Sequence, residues 1–86
     1  MTTTNEMRKC LSTLPRNQWI RLDEIMKHIE DNIPLDKEDW APLPTKEPYP
    51  KWKNKLQLIL HNDCKSNKAE HRPAIKGDKP YYLFKG

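Results

Sequence analysis

The sequence predicts a small α+β domain, mostly α, with three helices and a C-terminal β-hairpin. Three observations lead there. Apolar residues recur at helical spacing in three separate segments. The chain closes on an aromatic run, Tyr81-Tyr82-Leu83-Phe84, of the kind a strand favours. Its 86 residues suffice for one domain, taken as residues 1–86, and no more.

A domain of this size buries a modest share of its surface, so each large side chain counts. Trp19, Trp40, Trp52, Tyr49, Tyr81, Tyr82 and Phe84 are expected to form the bulk of the core. Charged residues make up 33% of the chain and the mean hydropathy is -1.04. The apolar residues nevertheless cluster in periodic segments, which argues against a disordered chain.

Residues 1–4 read as a frayed polar start. Asn5 is expected to cap a first helix running to Leu14, with Met7, Cys10, Leu11 and Leu14 on one face. Pro15 ends it, and Arg16-Asn17-Gln18 forms a turn. The segment from Trp19 to Leu22 is a short strand or the entry to the next helix. A second helix follows from Asp23 to Asp31, with Leu22, Ile25, Met26 and Ile29 as its stripe. Leu22 before the cap and Met26 beyond it suggest a hydrophobic staple.

Residues 33–50 hold five of the eight prolines, so this connector should form no long regular element. Trp40, Leu43 and Tyr49 suggest that it packs down, and Asp36 to Trp40 could hold one helical turn. Lys51 to Lys65 is the clearest helix, with Pro50 well placed at its start. Trp52, Leu56, Ile59 and Asp63 share one side, flanked by Leu60. Asn54, Gln57, Leu58, His61 and Lys65 share the other. Glu70 to Ile75 is a strand kept to an edge by Pro73. Lys76-Gly77-Asp78-Lys79 is the turn, and Tyr81 to Phe84 is the returning strand. Alternation sets Tyr82 and Phe84 on one of its faces and Tyr81 and Leu83 on the other.

The net charge of +4 is unevenly spread. Residues 1–50 carry seven basic and nine acidic side chains, whereas residues 51–86 carry nine basic and three acidic ones. Concentrated positive charge of this kind suits a polyanion-binding face. A solvated, lysine-rich surface is the plainer explanation for the same residues.

Other classes find less support. No stretch approaches the ~20 apolar residues of a membrane helix. The start, MTTTNEMRKC, has no apolar run of the kind a secretory signal requires. Cys10 and Cys64 show no disulfide framework, which points to reduced thiols in an intracellular protein. His61 and Cys64, with His71 beyond them, make only one loose pair of metal ligands, where structural zinc sites show two close pairs. Neither cysteine has the partners of a nucleophile. The two glycines make no phosphate loop. The acidic pairs Asp23-Glu24, Glu30-Asp31 and Glu38-Asp39 diverge on helices. No catalytic residue, metal, cofactor or small-molecule substrate is therefore expected.

The order of elements and the segment WKNKLQLILHNDCKSNKAEHRPAIKGDKPYYLFKG resemble winged helix-turn-helix domains associated with restriction endonucleases and related DNA-modifying proteins. Trp52, Leu56, Leu60, Gly77 and Tyr82-Leu83 occupy the matching roles. The resemblance covers mainly residues 51–86, with weaker support from Met7 to Ile33. It departs at the connector, because a compact helix-turn-helix joins its helices by a turn of about 3–4 residues.

The resemblance implies binding to duplex DNA by the third helix and the wing. The chemistry agrees. Asn54 and Gln57 can read base edges, and an amide both donates to and accepts from adenine. Lys51, Lys53, Lys55 and Lys65 can meet flanking phosphates, with His61 facing the groove. Arg72, Lys76 and Lys79 on the wing can lie along a second backbone. The chain would serve as a free-standing transcription regulator or as the recognition part of a restriction-modification enzyme. The alternative is a protein-docking module or homodimer that uses Trp40, Tyr49 and Leu58.

Overall fold

The computed structural model describes residues 2–44 and 49–86. The section of the connector that includes Pro48 lies outside the described residues, as does Met1. The described elements are α1 (Thr4–Leu11), β1 (Trp19–Arg21), α2 (Leu22–Asn32), α3 (Lys37–Trp40), α4 (Lys51–Lys65), β2 (Ala69–Arg72) and β3 (Tyr81–Phe84). The architecture is mixed α+β, with four helices and a three-stranded antiparallel sheet among the described residues. The fourth helix is the single turn expected at residues 36–40, and the third strand is the short segment at Trp19.

Sheet order is β1-β3-β2, so the C-terminal strand lies in the centre. Ile20 stands opposite Tyr82, and Ala69 opposite Phe84. Ile20, Ala69, Tyr82 and Phe84 are all buried, which identifies the core face of the sheet. Trp19, Arg21, Glu70, Arg72, Tyr81 and Leu83 fall on the opposite face by the two-residue period. β2 stops one residue short of Pro73, because proline has no N–H to continue the ladder. The link between β2 and β3 is consequently longer than four residues. Within it, the Asp78 N–H donates to the Ile75 carbonyl at 2.8 Å. Gly77 takes φ +87° at the third position of that turn, a conformation glycine adopts without strain.

The helical stripes form the rest of the core. Met7, Cys10, Leu11, Ile25, Ile29, Trp52, Leu56, Ile59 and Leu60 are buried in one cluster with the sheet. The core is therefore more aliphatic than expected. Of the seven aromatic residues, only Trp52, Tyr82 and Phe84 belong to it. Trp19 is 42% exposed and Trp40 46% exposed. Each sits at the end of a very short element, where little chain is available to cover a large ring.

Four local expectations are corrected. The start is not frayed at Thr2, which is buried and donates its N–H to Asp39 Oδ1 at 2.9 Å. The cap of α1 is Thr3, not Asn5, because Thr3 and Glu6 form a reciprocal capping box. That helix ends at Leu11, and Leu14 is buried beyond it through a tight turn in which its N–H donates to the Leu11 carbonyl. Finally, α2 begins at Leu22 itself, with Arg21 at the cap position, so Leu22 is not the outer half of a staple.

The connector packs down. Asp36 and Asp39 make a second capping box around α3. Pro42 and Pro50 form an antiparallel bridge. The Leu43 N–H donates to the Tyr49 carbonyl at 3.1 Å, and the Lys51 N–H to the Ala41 carbonyl at 3.0 Å. The Trp40 ring meets the Trp52 ring edge-on, with centroids 5.5 Å apart. The Pro42–Pro50 bridge, the Lys51–Ala41 hydrogen bond and the Trp40–Trp52 contact tie the connector to the start of α4.

Candidate nucleic-acid interface

The orientation of α4 decides which of its side chains can meet a partner. Trp52, Leu56, Ile59 and Leu60 are buried. At 100° per residue, the direction opposite them holds Asn54, Leu58, His61 and Lys65, with Gln57 on one shoulder. Their exposure agrees. Leu58, His61 and Lys65 are exposed, whereas Asn54 and Gln57 are half-buried. The polar stripe read from the sequence does point away from the core.

The cations assigned to this surface are not equivalent. The Lys51 ammonium pairs with Glu38 Oε1 at 3.0 Å. Lys55 donates to the Thr2 carbonyl at 2.7 Å, which ties α4 to the start of the chain. The Lys53 ammonium lies 5.6 Å from the centre of the Trp52 ring. Lys65, Lys76 and Lys79 are exposed, and their side chains make no hydrogen bond or ion pair among the described residues.

Arg72 stands apart from the α4 stripe. Its position on the outer face of the sheet lays the guanidinium 4.4 Å from the centre of the Tyr81 ring and 5.3 Å from that of Trp19. The neighbouring His71 turns the other way and stacks on Tyr82, with centroids 4.8 Å apart. His71 thereby joins Gln57, His61, Cys64 and Tyr82 around a hollow of about 170 Å³ between α4 and β2. The sequence points to Arg72 on the wing and offers His71 only as a loose metal ligand. Strand alternation would have separated the two, had the pairing register been known.

On the other shoulder of α4, Asn54, Lys55, Leu58 and Asn62 line an open hollow with Leu43 and Arg8. Leu43 reaches this place because the connector folds back along α4. It leaves Leu58 56% exposed.

The remaining chemistry is quiet. Burial pushes the Cys64 thiol above its ordinary range, with Asp63 adding to the shift, and burial does the same to Cys10. A raised thiol pKa disfavours the thiolate that nucleophilic chemistry needs. Burial, with smaller contributions from Cys64 and Tyr49, also raises the Tyr82 phenol. Among the described residues, no three His, Cys, Asp or Glu side chains converge as a metal site. No helix among them is long and apolar enough to cross a membrane. No family model, curated protein or solved structure matches this chain.

Proposed function

We propose that this chain is a non-catalytic DNA-binding domain of the winged helix-turn-helix type. In this reading α4 enters the major groove and the β2–β3 hairpin is the wing. The observation that carries it is the outward stripe of α4, where Asn54, Gln57, His61 and Lys65 lie opposite a wholly buried apolar side. A helix is about 10–12 Å across with its side chains, and the major groove is about 12 Å wide. The 15 residues of α4 give it ample length for the groove.

The topology supports the same reading. A strand between the first two helices closes the C-terminal hairpin into a sheet of order β1-β3-β2. That arrangement suits a winged helix. Lys76 and Lys79 sit in the hairpin link, where a wing would meet phosphates. Such a domain would act in the cytoplasm or nucleus, as a regulator or as the recognition part of a restriction-type enzyme.

The test is titration of the full chain into a labelled random-sequence duplex at low salt, followed by selection of a preferred site. Substituting Asn54→Ala with Gln57→Ala should then cut discrimination between selected and random duplexes about tenfold or more, with a smaller loss on the random duplex. Absence of binding at low salt, or equal loss on both duplexes, would overturn the reading.

One observation favours a second reading. Leu58 is 56% exposed at the centre of the same stripe, and Trp40 is 46% exposed near the start of α4. An apolar residue in the middle of a polar face is what a protein partner would cover. Binding of that kind would depend weakly on salt, whereas binding to phosphates weakens steeply.

A further inference from the structure

The basic residues of the chain gather at a second place, which the DNA reading does not use. Arg8, Arg16, Asp63, Lys68 and Lys85 line an open hollow of about 490 Å³ beside the ends of α1 and α4. Arg8 comes from α1 and Arg16 from the turn after it. Asp63 lies in the last turns of α4, and Lys68 and Lys85 flank β2 and β3. We propose that this hollow binds the phosphate groups of a small ligand, independently of the outward face of α4.

The charge at the site has a plain explanation that must be weighed first. Helices α1 and α4 both end at the hollow, and each C-terminus carries about half a negative charge. The basic side chains could simply answer those two ends and Asp63. The amounts do not match. Four positive groups face the carboxylates of Asp63 and Gly86 and two half charges, which leaves about one positive charge uncompensated. A phosphate group supplies that amount or more.

The four cations also differ in freedom. The Arg8 Nη1 donates to Asp63 Oδ1 at 2.8 Å. Arg16 is held by packing over Phe84, 5.5 Å from the ring centre, and by a 3.3 Å hydrogen bond from Nη2 to the Leu11 carbonyl. Both guanidinium groups keep further N–H donors. The two lysines are brought together by the backbone, because the Lys85 N–H donates to the Lys68 carbonyl at 3.1 Å. Their ammonium groups make no ion pair among the described residues. Like charges brought together repel, and an anion between them relieves that repulsion. No aromatic ring lines the hollow, so the phosphates of a ligand and not a stacked base would be recognised.

The separation from DNA follows from the geometry of α4. Asp63 lies on the buried side of that helix, away from Asn54, His61 and Lys65. A duplex laid along the outward stripe therefore leaves the hollow open.

The experiment is titration of inorganic pyrophosphate into the isotopically labelled full chain, read from amide shifts by NMR. Saturable shifts are expected at Arg8, Ser12, Asn67, Lys68 and Lys85. The pair Lys68→Ala and Lys85→Ala should weaken binding about tenfold, whereas Lys27→Ala with Lys37→Ala, removing the same charge elsewhere, should change it by less than about twofold. Unperturbed amides elsewhere in the spectrum show whether each variant has folded. Lack of saturation, or equal weakening by the two pairs, would overturn the site. Displacement of pyrophosphate by duplex DNA would overturn its independence.

Discussion

The proposed binding to DNA implies a salt dependence that can be worked from the structure, because only some of the basic residues are available to phosphates. Seven lysine and arginine side chains were assigned to α4 and the hairpin from the sequence. Lys51 is paired with Glu38, Lys55 is bound to the Thr2 carbonyl, and Arg72 lies against Tyr81 and Trp19. Lys65, Lys76 and Lys79 remain, together with Lys53, which lies 5.6 Å from a single ring where Arg72 is held against two. Four phosphate contacts at about 0.9 each give a slope of about −3.6 in log K against log salt. Raising salt from about 50 to about 200 mM should then weaken binding by about 150-fold. The combined substitution Lys76→Ala and Lys79→Ala should halve the slope to about −1.8, so the same rise costs only about 12-fold. Lys51→Ala should leave the slope unchanged, since its charge is already answered. Fluorescence anisotropy with one labelled duplex and a series of sodium chloride concentrations measures all three. A wild-type slope shallower than about −1 would leave at most one phosphate contact and refute the four-contact interface. An unchanged slope in the hairpin variant would remove the wing from the interface.

Other perturbations probe the frame that holds α4. Trp52 is 1% exposed, so Trp52→Ala should cost about 3–5 kcal/mol in a urea or thermal melt. The milder Trp52→Phe keeps the test readable if the alanine variant does not fold, and an unaltered midpoint in both would mean that the ring is not core. Asp39 is 1% exposed and accepts hydrogen bonds from the Thr2 and Asp36 N–H groups at 2.9 and 3.1 Å. Asp39→Ala strands both donors and should cost about 2–4 kcal/mol, with faster amide exchange at Thr2 and Asp36. Unchanged exchange there would disprove the clamp. The Asp23 carboxylate is held below its usual range, first by the hydrogen bond from Arg21 Nε at 2.6 Å. Its folded-state pKa is depressed, so the stability it supplies is present at neutral pH and lost as pH falls through that lowered value. Arg21→Gln should return the Asp23 titration toward the ordinary carboxylate range, as followed by carboxyl carbon NMR, and an unmoved titration would disprove the coupling.

The helices were legible because a buried stripe at period 3.6 needs no knowledge of the rest of the fold. The face of α4 could be named in advance for the same reason. Trp52, Leu56, Ile59 and Leu60 leave one side for solvent wherever the helix docks. The cap of α1 was misplaced, because Asn5 suits a cap by residue type, although Thr3 and Glu6 carry the spacing of a capping box. The hairpin was legible from its aromatic strand and Gly-Asp turn, but the pairing that completes the sheet was not. A strand of three residues such as Trp19–Arg21 shows no period, and its pairing with β3 joins residues more than sixty positions apart. Without that register, nothing in the sequence assigns Trp19, Tyr81 and Arg72 to the outer face and His71 to the side facing α4. The gathering of Arg8, Arg16, Lys68 and Lys85 was hidden for the same reason. Two of these cations come from the half of the chain whose net charge is negative. Nor can charge counting reveal that Lys51 and Lys55 already have partners, which come from the connector and from the start of the chain.

The long connector is the feature that sets this chain apart from a compact helix-turn-helix, and the structure shows how the extra length is absorbed. Ala41 and Lys51 are joined by a backbone hydrogen bond, and Pro42 and Pro50 form a bridge beside it. The chain therefore passes from α3 to α4 through a closed neck, and this neck sets the spacing of the two helices. Closing a longer loop costs little, about 0.6 kcal/mol for each doubling of its length. Replacing residues 44–48 by Asn-Gly, a two-residue turn suited to antiparallel strands, should thus leave the Leu43–Tyr49 hydrogen bond in place and change stability by less than about 1 kcal/mol. Circular dichroism melts test the stability, and anisotropy tests the DNA affinity. Retention of both would confine the interface to α4 and the hairpin. A folded variant that no longer binds DNA would put the replaced residues in the interface. Loss of folding would refute the neck itself, because α4 would then depend on contacts beyond Pro42 and Pro50.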